Sequence, residues 1–198
     1  SQSDFIKFAE DLNLPIALTW GAADLISFDH ELYIGTFGTH GNRHANFAVQ
    51  NADLIISFGS RLDTKSTGSP VNTFAREAKK IMVEIDINEL NKFKKFDLKF
   101  DKLIHCDLKD FFDEVQKINI QKFFNKRDDW INQINQWQEA FNAFDDRKSL
   151  STTQVNPYNF IDRISDNLKE NSKVIIDTGC SIAWFMQSMK IQETVRVY

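Results

Sequence analysis

Between Gly35 and Asn46 the chain reads GTFGTHGNRHAN, which sets three glycines, two histidines and an arginine between two apolar runs. Glycine-flanked backbone amides could cradle a phosphate, His40 and His44 could share a helix face and hold a metal, or the stretch could simply turn tightly. Gly41 and Asn42 interrupt helix formation between the histidines, and no acid stands nearby to complete a coordination sphere, so no metal ligands are expected here.

A second candidate is FGSRLDTKSTG, residues 58–68. Gly59 at a strand's end lets a ligand approach the backbone, Arg61 and Lys65 offer charge to phosphate, and Asp63 could accept from a hydroxyl. The alternative is a solvated loop with a salt bridge. A third is EID, residues 84–86, where an acid just past a strand could accept from ribose hydroxyls, or Asp86 could cap the helix that starts near Glu89. In IIDTGCSIAW a strand ends Asp-Thr-Gly before a helix, which presents amides to a phosphate or merely makes a tight turn. Cys106 reads as a small apolar group after a strand rather than a nucleophile, and Cys180 would react only if its pKa were depressed. No Ser/His/Asp arrangement is recognisable, and no catalytic residue is assigned.

These groups must be positioned by alternating elements. SDFIKFAEDLNLP carries Phe5, Ile6, Phe8, Ala9 and Leu12 on one helical face, with Ser3 as N-cap. PIALTW and ELYIGTF follow as short strands, then HANFAVQNA as a helix beginning at Ala45 and Asn46, with Arg43 and His44 flanking it. ADLIISFGS is an apolar strand, TFAREA a short helix, KKIMVEIDI and LIHCD strands, and LKDFFDEVQKI a helix. This alternation predicts an α/β protein with a doubly wound parallel sheet, whose strands are covered on both faces. Ligands on such sheets bind outside the carboxyl ends of the strands, and here those ends carry TWGA, FGSRLDTKSTG, EIDINE and HCD. No GxGxxG follows the first strand, which disfavours an ordinary Rossmann dehydrogenase. RDDWINQINQWQEAF reads as a connecting amphipathic helix and STTQVNP as a linker. NPYNFIDRISDNLKEN, KVIID and TGCSIAWFMQSM then begin a second helix–strand–helix unit, and ETVRVY shows no closing element.

The bulk numbers agree with a globular protein: 42% apolar and 26% charged residues, with Phe heavily used as filler at 18 copies. A net charge of −4, from 24 basic and 28 acidic residues, argues against nucleic acid as the main partner. No run suits a membrane span and no signal-peptide pattern opens the chain. Two distant cysteines make neither a disulfide framework nor a zinc site, which reads as a reduced, cytoplasmic protein.

Taken in order, the motifs resemble thiamine diphosphate-dependent enzymes of the acetolactate synthase group. The resemblance runs through LPIALTWGAADLISFDHELYIGTFGTHGNRHANFAVQNADLIISFGSRLDTKSTG, FAREAKKIMVEIDINEL and HCD, then through NPYNFIDRIS and VIIDTGCSIAW, nearly the whole chain. It implies a Rossmann-like central domain at residues 1–120, a linker helix and connection at 121–152, and the opening of the pyrophosphate-binding domain at 153–198. It also implies a parent enzyme that decarboxylates a 2-oxo acid such as pyruvate and transfers the two-carbon unit, as a homodimer or homotetramer. Thiamine diphosphate and magnesium would be its cofactors. The group's catalytic glutamate belongs to the first domain and its magnesium-binding GDG…N motif lies beyond Tyr198, so the chain alone is expected to be inactive.

In flavin-containing members the central domain holds FAD. The resemblance places such contacts on Thr19, Trp20, Gly38, Thr39, His40, Gly41, Gly59, Arg61, Asp63, Lys65, Glu84, Ile85 and Asp107. Lys65 stands where the group has an arginine facing phosphate, which keeps the charge and loses the bidentate fork, and Thr39 replaces a common methionine. Thr178, Gly179, Cys180 and Ser181 match positions that approach the diphosphate of thiamine diphosphate. Cys180 and Ser181 replace the usual glutamine and histidine, which points to a non-standard substrate. Two other readings stay open. One is a ligand-free structural domain that supports subunit assembly, and the other is a sirtuin-type NAD-binding domain, for which paired CxxC zinc motifs are lacking.

Overall fold

The computed structural model describes residues 2–118, 127–141 and 153–198. They group into two compact units, one of residues 1–14 and 47–128, the other of residues 15–46 and 129–198.

In the first unit, α1 (Gln2–Leu12) buries Phe8, Ala9 and Leu12 as its periodicity predicts. Ser3 lies inside this helix, so it is not the N-cap expected of it. The helix stops where Asn13 turns left-handed (φ 51°) and the amides of Asn13 and Leu14 reach back to the carbonyls of Glu10 and Ala9, at 3.0 and 2.9 Å. That is a Schellman closure, with asparagine in the glycine place. β3 (Leu54–Phe58), β4 (Lys79–Glu84) and β5 (Lys102–His105) form one parallel sheet in that order. Leu54 stands opposite Lys79 and Ile81 opposite Lys102. Three helices follow the strands' carboxyl ends: α3 (Thr64–Thr67), α4 (Ile87–Lys92) and α5 (Leu108–Val115). Phe5 and Phe8 of α1, Phe58 of β3, and Phe111 and Phe112 of α5 make an aromatic cluster with centroids 5.4–6.5 Å apart, mostly edge-on. Such geometry suits the ring quadrupoles and accounts for part of the heavy use of Phe.

The helix expected at TFAREA does not form. A single 3-10 turn at Val71–Thr73 ends in extended Phe74 (φ −66°, ψ 118°), and Ala75 is left-handed at φ 42°. The Ala75 amide goes instead to the side-chain oxygen of Gln50 at 2.9 Å, so the backbone donor is satisfied without a helix.

In the second unit, β1 (Ile16–Leu18) pairs in parallel with β2 (Tyr33–Thr36). α2 (Arg43–Asn51) begins here and ends in the first unit. It starts two residues before Ala45, so Arg43 and His44 belong to its first turn rather than to a flank. α6 (Asp128–Ala140) is the expected amphipathic helix, with Ile134 buried and Trp130 and Trp137 edge-on at 5.6 Å. α7 (Pro157–Asn167), β6 (Lys173–Val174), α8 (Cys180–Ser188) and β7 (Arg196–Val197) complete it. β6 is shorter than KVIID suggested, and Ile175 is 83% exposed. The ETVRVY segment does carry an element: β7 pairs with β6 in parallel, and the Val197 amide donates to Asp24 Oδ2 at 3.1 Å. Ala23, Ile161, Phe185, Met186, Met189, Ile191 and Val195 form this unit's core.

All strand pairing among the described residues is parallel, as an α/β fold requires, but it is divided into ladders of two, three and two strands. The expected linker at 121–152 lies partly outside the described residues, which there are 127–141 only.

Candidate functional site

The first unit brings Gly59, Arg61, Asp63, Lys65, Glu84, Ile85 and Asp107 to the carboxyl ends of β3, β4 and β5, one sheet edge. The three aspartates there share one use. Asp63 Oδ1 accepts from the amides of Lys65 and Ser66 at 3.0 Å, Asp86 Oδ1 from Asn88 at 2.8 Å, and Asp107 Oδ1 from Lys109 at 2.7 Å. Each caps the helix that follows, satisfying amides that a helix start leaves without partners. Asp86 thus forms the cap its position offered. Glu84 is buried and folds back on its own strand end, Oε1 accepting from the amides of Ile85 and Asp86 at 2.9 and 3.2 Å. Ile85 itself is 62% exposed, with its carbonyl 2.9 Å from His105 Nε2.

Gly59, Arg61 and Leu62 all have left-handed backbone angles, at φ 54°, 56° and 46°. The conformation costs a non-glycine residue about 1 kcal/mol, so something must hold the turn. Arg61 Nε donates to Glu89 Oε1 at 3.1 Å, Lys92 Nζ reaches Glu89 Oε2 at 2.6 Å, and Lys92 also donates to the Arg61 carbonyl. The Lys92 hydrogen bond, helped by the nearby charge of Arg61 and opposed by burial, holds the Glu89 carboxyl below its ordinary range. The result is an edge of mixed charge, with Arg61, Lys65 and Lys92 set among Asp63, Glu84, Asp86, Glu89 and Asp107 and with Ile85 exposed beside them. It is poorly suited to nucleophilic chemistry, because burial, then Asp110 and Asp107, push the half-buried Cys106 thiol up.

The second unit holds Thr19, Trp20 and the Gly35–Asn46 loop. Here the glycines approach the chain itself. A Cβ on Gly41 would lie 2.5 Å from the Thr36 carbonyl oxygen, and one on Gly35 would lie 2.6 Å from Asn42 Oδ1. Much of the loop's amide set is likewise spent internally. Thr36 donates to Asn42 Oδ1 at 2.9 Å, Phe37 to the Leu18 carbonyl at 3.0 Å, and Gly38 to Asn46 Oδ1 at 2.8 Å. Gly41 donates to the Gly38 carbonyl at 3.0 Å and Asn42 to the Thr36 carbonyl at 2.7 Å. Asn46 returns a second bond, Nδ2 to the Gly38 carbonyl at 3.0 Å, so its side chain clasps both backbone groups of one residue. What the loop presents is a ring pair: His40 stacks on Trp20 with centroids 5.6 Å apart and planes 20° from parallel.

His44 is buried, its Nδ1 without a partner among the described residues, and burial lowers its pKa to about 4 against a hydrogen bond to the Ile34 backbone. A neutral core histidine follows. No group of three or more metal-ligating side chains exists among the described residues. Further on, Thr178 donates its amide to Asp177 Oδ1 at 2.7 Å and Ser181 Oγ donates to the Asp177 carbonyl at 2.9 Å. Gly179 (φ 108°) stands at the N-cap of α8 with no side-chain cap, and Cys180 is exposed at the first helical position. First-turn amides left in this way favour an anion.

Four participants escaped the sequence reading: Glu89, Asn42, Asn46 and Gln187, whose Nε2 donates to the His40 carbonyl at 3.0 Å. Asn42, next to a glycine, carried a signal, since asparagine in a turn commonly bonds backbone groups. Glu89, Asn46 and Gln187 sit within helices and look like ordinary polar positions.

A parallel α/β sheet with helices after its strands places this chain in the class of doubly wound α/β domains, in which ligands bind outside the carboxyl ends of the strands. Comparison with known proteins makes this specific. Residues 1–115, more than half of the chain, match the family described as thiamine pyrophosphate enzyme, central domain, and the chain belongs to that family. It is 27% identical over 195 residues to the acetolactate synthase large subunit of Cyanidium caldarium, covering 98% of this chain and 32% of that protein. It is 28% identical to the probable acetolactate synthase large subunit of Methanococcus aeolicus, covering 97% and 33%, and 28% identical to the acetolactate synthase large subunit of Lactococcus lactis, covering 92% and 30%. The chain thus spans about a third of the length of the curated relatives it matches.

Proposed function

We propose that the chain is the central domain, connecting helix and opening of the pyrophosphate-binding domain of a thiamine diphosphate-dependent carboligase. The parent enzyme decarboxylates a 2-oxo acid such as pyruvate and transfers the two-carbon unit to an acceptor, as a cytoplasmic homodimer or homotetramer. The observation that carries this reading is the gathering of Gly59, Arg61, Lys65, Ile85 and Asp107 at one carboxyl edge of a family-matched parallel sheet. No helix among the described residues is long and apolar enough to cross a membrane.

Thiamine diphosphate held with magnesium supplies the nucleophilic carbon that makes the decarboxylation possible. The residues here bind and orient. Gly179, Cys180 and Ser181 offer first-turn amides to a diphosphate, a donor set that fits because no side chain caps that helix. At the sheet edge, Arg61 and Lys65 supply charge for the phosphates of FAD or another adenine nucleotide, and exposed Ile85 supplies apolar surface. Trp20 and His40 contribute their stacked rings, while the amides of Thr36, Phe37, Gly38, Gly41 and Asn42 are consumed internally. The proton-moving glutamate and the magnesium ligands are expected elsewhere in the parent, so the chain alone is expected to show no carboligase activity.

Calorimetry of the purified chain with FAD and with ADP tests this. A saturable heat with at least one of them is expected, weakened about tenfold in Arg61→Ala by loss of a charge-assisted contact. Folded protein that binds neither would sink the nucleotide reading. That outcome would favour a structural domain that supports subunit assembly, a second reading favoured by the commitment of Asp63, Asp86 and Asp107 to helix caps.

A further inference from the structure

The carboxyl end of α8 is closed from far away in sequence. A helix leaves its last four carbonyls without internal partners, and they need donors from elsewhere. The Phe185 carbonyl takes the Met189 amide at 2.8 Å, an ordinary local closure. The next two are served by the Gly35–Asn46 loop: Thr36 Oγ1 donates to the Met186 carbonyl at 3.0 Å, and Asn42 Nδ2 to the Gln187 carbonyl at 3.1 Å. These partners are 150 and 145 residues apart in the chain.

The side chain of Gln187 reciprocates. Its Nε2 donates to the His40 carbonyl at 3.0 Å, and its Oε1 accepts from the hydroxyl of Tyr158 on α7, also at 3.0 Å. Only an amide can do both. The Tyr158 hydroxyl fixes the oxygen end, which turns the nitrogen end toward His40. A carboxylate in its place keeps the Tyr158 bond and sets two acceptors against each other at His40. An aliphatic side chain keeps neither bond. Since the His40 ring lies on Trp20, holding the His40 peptide also fixes the stacked pair.

We propose that Gln187 is the positioning residue for His40: it ties the Gly35–Asn46 loop to α8 and so sets where the Trp20–His40 ring pair stands. Resting on the reading that this pair faces a nucleotide or flavin, Gln187 also governs how tightly that ligand is held.

The test compares the wild-type chain with Gln187→Glu and Gln187→Leu by NMR and amide hydrogen exchange, followed by titration with FAD. In both variants the Gly41 and Asn42 amides are expected to exchange about tenfold faster, the scale of one or two lost hydrogen bonds. The His40 ring protons should lose most of the ring-current shift that Trp20 imposes, while core amides of α8 stay within about twofold of wild type. If Gln187→Leu fails to fold, Gln187→Glu, which retains the Tyr158 bond, decides alone. An unchanged His40 shift overturns the assignment, as does an equal loss of protection in loop and core, the mark of a merely structural role. FAD affinity should fall about fivefold in Gln187→Glu, a modest loss of preorganisation. Affinity equal to wild type overturns the ligand half of the proposal. Wild-type protein that does not bind FAD overturns the flavin reading itself, while the NMR result still judges Gln187.

Discussion

Gly41 shows how one residue's chemistry is decided by its neighbours. The missing side chain makes room for the chain's own backbone, the Thr36 carbonyl and Phe37, within 2.6 Å of where a Cβ would stand. Gly41→Ala must therefore push two backbone segments apart, with an expected loss of about 1–3 kcal/mol, measured as a lower Tm or urea midpoint. His44 makes a second case. Its folded pKa is lowered to about 4 from 6.5, so between those values the unfolded chain binds a proton that the folded chain does not. Stability is then fully present above about pH 6.5 and falls as the pH drops toward 4, by roughly 3 kcal/mol across the window. Urea titrations at pH 7, 5.5 and 4.5 should show a decline that is shallower in His44→Gln; equal slopes would remove His44 as the cause.

At the scale of elements, the chain repeats one device at the sheet's carboxyl edge and uses another at α8. Asp63, Asp86 and Asp107 each end a strand-to-helix turn by capping the next helix, so local sequence both starts the helix and fixes the turn. Asp107→Ala should cost about 1 kcal/mol and loosen the first turn of α5, read as faster exchange of the Lys109 amide. α8, by contrast, is closed by Asn42, which also accepts from the Thr36 amide. Asn42→Ala strips one carbonyl and one amide of their partners. A loss of about 1–3 kcal/mol is expected, with fraying at the carboxyl end of α8 rather than at its start. Exchange that quickened only at Cys180 and Ser181 would contradict this.

For the molecule as a whole, burial is carried by two compact units whose members are not continuous in sequence. The first is keyed by aromatic packing around Phe112, which is 1% exposed. Truncating it in Phe112→Ala is expected to remove about 3–5 kcal/mol, seen as lost protection in the β3–β5 amides. The α/β class and the run of parallel strands could be read from the sequence, and the cap at Asp86 stood there as one of two open roles, because these features arise from local periodicity and from residues a few positions apart. The failure at TFAREA has the opposite origin. Its composition suits a helix, but the Ala75 amide is taken by Gln50, 25 residues earlier, and local propensity gives way to a tertiary hydrogen bond.

The sequence by itself determined which residue types reach the strand ends, in what order, and with that the family to which the chain belongs. Tertiary structure decided what those residues touch. It turned Gly41 toward the chain's own backbone and Gly35 toward the Asn42 side chain, set Glu89 on Arg61, and brought Gln187 to His40 across 147 residues. The reason is physical. Helix periodicity and caps are short-range preferences written into neighbouring side chains. The partner of an unpaired carbonyl or a bare glycine is whatever the fold carries to it, and no local pattern records that.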